Sequence, residues 1–228
     1  FETVTYMLSG RMEHRDSHGN AGALGPGDVQ WMTAGSGVIH SEMPEKDFAA
    51  RGGRMHGFQL WVNLPRHDKM MTPRYQEVRG SKIPEASSTD ATVRVRVLAG
   101  ESLGARAVID TRTPILYLDV QLQPGATFSQ PVGPDFNVFA YVVEGTGSFG
   151  AQERPAGDED LVLFGHDGDA VALSASPGGP LRVLLIGGAP LREPVARYGP
   201  FVMNTRSELI AAVEDFQSGR FGRIPPAS

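Results

Sequence analysis

The chain has 228 residues, 40% of them apolar and 21% charged, with 28 glycines, 17 prolines and no cysteine. That length suits one large all-β domain or two small ones, and the missing thiols exclude a disulfide framework or a thiolate metal site. A net charge of −5 without a basic cluster leaves no electrostatic footprint for nucleic acid, and no apolar run approaches the roughly 20 residues of a membrane span.

Val4, Tyr6 and Leu8 alternate with Thr3, Thr5 and Met7, a strand pattern that begins at the first residues of the chain. A turn at Ser9-Gly10 leads to a second alternating run in which Met12, His14 and Asp16 share a face. Residues 29–33 and 38–43 read as short strands, the first set off by Gly25-Pro26-Gly27-Asp28 and the two separated by Ala34-Gly35-Ser36-Gly37. Residues 57–64 form another, with Gln59, Trp61 and Asn63 facing one way. Seven or eight short strands fit into residues 1–78, the rhythm of a barrel or sandwich. Residues 79–91 are polar and irregular and read as a domain boundary. Strands resume at 93–97, 115–122, 136–143, 161–164, 170–173 and 181–186. Thr205 and Glu208 have capping-box spacing ahead of Leu209, Ala212, Val213 and Phe216, which predicts a helix over about 206–218, ended by Gly219.

An internal repeat organises these elements. Phe1 to Gly10 aligns with Phe136 to Gly145, with Phe, Tyr and Gly at matching offsets, and Pro26-Gly27-Asp28 has a counterpart in Ala156-Gly157-Asp158. Two similar barrels in tandem are expected, over residues 1–78 and 79–228. The second copy has strand material ahead of Phe136, so the first barrel is expected to lack its first strands.

The strongest candidate for chemistry is His40-x-Glu42. On a strand, side chains at i and i+2 lie on one face, and an imidazole with a carboxylate suits a first-row divalent metal. Two polar residues on a solvent face would show the same spacing. His14 reads as a hydrogen-bonded barrel histidine that can support ligands from behind, and His56 can line a pocket mouth or make a structural hydrogen bond. His18, His67 and His166 read as solvated, as does the charged loop Arg66 to Lys69. Nothing resembles a phosphate loop, a nucleophile elbow or a zinc-protease helix.

The segments Phe1-Glu-Thr-Val-Thr-Tyr6, Pro26-Gly-Asp-Val-Gln-Trp-Met-Thr-Ala-Gly35, Ile39-His-Ser-Glu-Met-Pro44, Gln59-Leu-Trp-Val-Asn-Leu-Pro65, Pro190-Leu-Arg-Glu-Pro194 and Gly199-Pro-Phe-Val-Met-Asn-Thr205 together resemble the pirin family over nearly the whole chain. The resemblance implies an all-β bicupin: two antiparallel β-barrels in tandem with a short C-terminal helix. It implies one Fe(II) in the first barrel, held by three histidines and one glutamate, of which His40 and Glu42 match two. The other two histidines belong to a His-Pro-His-Arg-Gly segment that in pirins directly precedes the Phe-Glu-Thr-Val motif, so they are expected upstream of Phe1, and this chain by itself is not expected to bind iron tightly. In the second copy the corresponding positions are Gly133 and Pro131, and a metal-free barrel is expected.

Several pirins resemble quercetinases, which open a flavonol ring with O₂ and release carbon monoxide. The resemblance therefore implies an Fe(II)-dependent dioxygenase acting on flavonols such as quercetin, with Glu42 beside the metal taking the proton of the substrate 3-hydroxyl. By neighbourhood alone, Trp31, Met32 and Met43 are candidates for an apolar wall against the flat ring. The alternative reading is an iron-dependent regulator that binds another protein without catalysis. A cytoplasmic location is the expectation, with no membrane or direct nucleic-acid partner.

Overall fold

A computed structural model describes residues 1–225, and contacts divide them into two units. The first unit holds residues 1–82 together with the chain from Leu191 onward. Its strands are β1 (Glu2–Ser9), β2 (Met12–Asp16), β3 (Ala21–Leu24), β4 (Val29–Thr33), β5 (His40–Pro44), β6 (His56–Val62) and β7 (Arg74–Val78), with a short helix α1 (Lys46–Arg51) after β5. One sheet runs β6-β1-β4-β7 and a second runs β3-β2-β5, with every pairing antiparallel. The tight β1–β2 turn depends on Gly10, whose φ is +84° and where a Cβ would fall 2.9 Å from the Met55 Cα.

The second unit spans Ile83–Pro190. It contains β8 (Glu85–Ser87), β9 (Val93–Ala99), β10 (Glu101–Ser102), β11 (Ala105–Arg106), β12 (Ile115–Leu122), β13 (Thr127–Pro131), β14 (Asn137–Glu144), β15 (Gly147–Phe149), β16 (Arg154–Ala156), β17 (Leu161–Leu163), β18 (Ala170–Ala175) and β19 (Leu181–Gly188). A six-stranded sheet β17-β14-β19-β12-β9-β8 faces a four-stranded sheet β13-β18-β15-β16 across one apolar core. The repeat seen in the sequence is a repeat of pairing. Strands β1 and β14 carry the matched segments, and each pairs antiparallel with the strand that follows its Gly-Asp turn, β4 in the first unit and β17 in the second. The interiors of the two units differ. Val142, Val183, Val120 and Val95 form one row across β14-β19-β12-β9, and all four are fully buried. Among the described residues, eleven of the fourteen buried polar or charged ones lie instead in the first unit.

The boundary expected near residue 79 falls at Lys82/Ile83, but the grouping of 79–228 as a single second domain does not match the contacts. From Leu191 onward, β20 (Ala196–Tyr198), β21 (Phe201–Met203) and α2 (Arg206–Gln217) belong with the first unit. Two contacts tie this segment to residues 1–82: Glu193 Oε2 accepts from the Arg66 backbone N–H at 2.8 Å, and the Arg197 guanidinium lies over the Trp61 ring. Helix α2 has the capping box that the sequence predicts, and Gly219 follows it at φ +79°. No helix among the described residues is long and apolar enough to cross a membrane.

Candidate functional site

Strand alternation and register build the site. Gln59, Thr5, Gln30 and Glu77 stand in one row across β6-β1-β4-β7 because they are direct partners in three consecutive ladders. In the second unit the residue at the repeat position of Thr5 is Ala140, whose partners Val162 and Leu185 are apolar, whereas the row through Thr5 is polar throughout. The other sheet meets it with Glu42 and His14, which are register partners on β5 and β2.

Glu42 is held from two strands. Its Oε1 accepts from Thr5 Oγ1 at 3.1 Å and its Oε2 from Gln59 Nε2 at 2.6 Å. Gln59 is itself oriented by Trp61, whose Nε1 donates to Gln59 Oε1 at 3.3 Å. A charged acceptor with two donors is worth more than a neutral one, and the pair of directions locks the carboxylate plane. Beside it, His14 is 3% exposed and its Nε2 lies 2.6 Å from Glu77 Oε1, which also accepts from Gln30 Nε2 at 2.8 Å. The contact with His14 holds the Glu77 carboxyl below its ordinary value, against a burial effect of opposite sign and with help from Gln30. Gly22 makes room for this contact, since a Cβ there would stand 2.5 Å from His14 Nε2.

The next row repeats the arrangement. Trp61, Thr3, Met32 and Tyr75 align across the four strands, and the register pair Asp16–His40 lies on the other sheet. Burial pushes the Asp16 carboxyl up, but hydrogen bonds from Asn20, Tyr75 and the His18 backbone outweigh it and leave the group below its ordinary value. Burial and the bond to Asp16 push the Tyr75 phenol up. His40 and Glu42 share one face of β5 by alternation, and His40 is half-buried.

The pair suits a first-row divalent ion in donor type: one imidazole and one carboxylate held in place by Thr5 and Gln59. Among the described residues no group of three or more His, Cys, Asp and Glu converges, so His40 and Glu42 stand as a candidate pair with no third such donor beside them. Two protein donors do not close a tight site against water.

Of the three wall candidates, only Met32 shares the face of the site. Trp31 is fully buried on the opposite face of β4, in register with Val4, and Met43 is 57% exposed because it alternates with Glu42. Trp61 and Tyr75 take their place. Trp61 stacks on Phe1 with ring centroids 4.5 Å apart, and the Arg197 guanidinium sits 5.1 Å from its ring centre. His18, His67 and His166 are exposed, and His56 opens β6 with its Nδ1 3.3 Å from Arg54 Nη2. The loop Arg66 to Lys69 is only half solvated: Asp68 and Lys69 are buried. Thr5, Gln30 and Glu77 were not singled out from the sequence. Thr5 between Val4 and Tyr6 and Gln30 between Val29 and Trp31 carry a signal, polarity between apolar or aromatic neighbours, whereas Glu77 beside Gln76 on β7 carries none.

Comparison with known proteins gives the family and the fold. Residues 1–62 match the family model described as Pirin, and residues 117–222 match the Pirin C-terminal cupin domain. A "Pirin-like protein" of Solanum lycopersicum is 47% identical over 222 residues, covering 97% of this chain and 74% of the relative. "Pirin" of Mus musculus is 44% identical over 226 residues, covering 97% and 75%. Among solved structures, a quercetin 2,3-dioxygenase from Acinetobacter baumannii superposes with a TM-score of 0.92 at 36% identity, covering 99% of this chain and 77% of that one.

Proposed function

The chain belongs to the pirin family, and on that premise we propose that its first barrel is an oxidative site of the quercetin 2,3-dioxygenase type, dependent on a metal held in part by His40 and Glu42. The observation that carries the reading is the Thr5–Glu42–Gln59 arrangement: a carboxylate aimed by two donors into a barrel interior that is polar where the second unit's is apolar. The likeness to the Acinetobacter quercetin 2,3-dioxygenase supports it.

In this reading a bound Fe(II) supplies Lewis acidity toward a flavonol 3-hydroxyl. His40 and Glu42 would provide two of its ligands. Glu42 takes the hydroxyl proton, with Thr5 and Gln59 keeping its oxygens directed. Met32, Trp61 and Tyr75 offer a flat, mainly apolar surface to the ring. The test is anaerobic reconstitution with Fe(II) in large excess, so that a weak site is filled, then quercetin absorbance under O₂. Loss of the flavonol band with release of carbon monoxide is expected. Metal-loaded protein that leaves quercetin untouched overturns the enzymatic reading.

A second reading is a metal-dependent regulator that binds another protein. Exposed large apolar side chains favour it, Tyr198 and Val195 of the C-terminal segment among them, and the curated relatives are named for their family and not for an activity. A pull-down with and without iron separates the two, and the absence of any iron-dependent partner counts against the regulator.

A further inference from the structure

None of the side chains around Glu42 lines a different cavity of about 290 Å³ in the first unit. The turn after β4, from Ala34 to Gly37, forms one wall, and Phe201, Ala212 and Phe221 form others. Phe201, Phe216 and Phe221 make a cluster with ring centroids 6.2 to 6.3 Å apart. Gly37, at φ +123°, lets the Phe221 ring close in, because a Cβ there would stand 2.4 Å from it.

A buried ammonium belongs to the lining of this cavity. Lys69 is 3% exposed, yet its Nζ donates one hydrogen bond, to Asn63 Oδ1 at 2.6 Å. An ammonium carries three donors, and a buried cation with donors unspent is costly. The carboxylates around it are committed elsewhere. Glu208 accepts from the Asn204 and Thr205 backbone N–H groups, Glu193 from Arg66 and Asn204, and Asp215 pairs with Arg220. Burial lowers the Lys69 pKa, and Glu193 and Glu208 offset that only in part.

We propose that this cavity binds a small carboxylic acid with an aryl or alkyl body, its carboxylate on the Lys69 ammonium and its body among Phe201, Ala212 and Phe221. A charge-assisted bond from an ammonium to a carboxylate is the strongest contact available to Lys69, and the remaining lining is largely apolar apart from Ser36 and the carboxylates of Glu208 and Asp215, which are engaged as described. The volume is at the low end of the range for small-molecule pockets, about 300–1,000 Å³, so the ligand is no larger than one ring with a short acid chain.

The probe is 4-phenylbutanoate, titrated into the protein while the backbone amides of Ser36, Gly37 and Ala212 are followed by NMR. Saturable shifts at those amides are expected, with 4-phenylbutanamide binding about tenfold or more weakly because it lacks the charge. Lys69→Met should weaken the acid by a similar factor, and Ala212→Phe, which fills the cavity, should abolish the shifts. Equal binding of acid and amide, or no saturable shift at millimolar probe, overturns the proposal. The acid–amide comparison uses the unsubstituted protein and decides the matter even if Lys69→Met fails to fold.

Discussion

Gln59 Nε2 lies 2.6 Å from Glu42 Oε2 and 3.2 Å from Thr5 Oγ1, so one amide on β6 joins the carboxylate of β5 to the hydroxyl of β1. That side chain ties the two sheets of the first barrel together at the site, alongside the direct Thr5–Glu42 bond and the His14–Glu77 contact. Its own carbonyl is steadied by Trp61. The orientation of Glu42 is therefore a property of three strands, and it is exposed to substitution at positions that carry no charge.

Gln59→Leu keeps the volume and removes the donor. Reconstituted protein should lose about 1.5 kcal/mol of transition-state stabilisation, roughly tenfold in kcat/KM for quercetin, while Tm moves little. A kcat/KM unchanged within twofold in a folded variant would show that Glu42 needs no aiming from β6.

Gly22→Ala should be far more disruptive than its size suggests. The new Cβ would stand 2.5 Å from His14 Nε2 and 3.2 Å from both Glu77 carboxylate oxygens. Urea titration should show a loss of about 1–3 kcal/mol, the usual cost of overpacking. Gly178→Ala is the control: nothing lies within 4 Å of the added atom, and a change within about 0.5 kcal/mol is expected there. Equal effects at both positions would dismiss the close approach of Gly22 to His14.

Acid should weaken the first unit through Asp28. Burial raises its carboxyl, but the backbone N–H groups of Gly25 and Gly80 and the Arg79 guanidinium outweigh that and hold it below its ordinary value of 3.8. A depressed folded value means the unfolded chain binds the proton first. The stabilisation is thus fully present above the ordinary carboxyl range and drains away as pH falls below it, through the folded value. Urea midpoints measured from neutral pH down into that range should fall. Asp28→Asn should start lower and fall less, and a parallel pH profile in the variant would assign the acid sensitivity to other carboxylates.

With two protein donors among the described residues, the chain of 228 residues should hold Fe(II) weakly. Anaerobic titration followed by calorimetry should give shallow, non-stoichiometric binding, reduced further by His40→Ala. A sharp one-to-one endpoint would mean that donors other than His, Cys, Asp and Glu complete the site.

Local pattern was enough for much of this protein. Alternation marks β1 and β2, the Thr205/Glu208 spacing places α2, and the Phe1/Phe136 repeat announces two related units. His40-x-Glu42 was legible because strand geometry puts i and i+2 on one face. The rest depended on which strand lies beside which. A period of two says that Trp31 and Met32 face opposite ways, but only the pairing of β4 with β1 and β7 says which of them meets the site. Thr5, Gln30, Gln59 and Glu77 are scattered over more than seventy positions of sequence and become one row only through ladder register. Lys69 reads as a solvated charge in its loop and is buried because the segment after Leu191 returns to the first unit. Strand identity is a local property of the chain, whereas register, neighbour and burial are set by contacts between distant segments that no window of sequence contains.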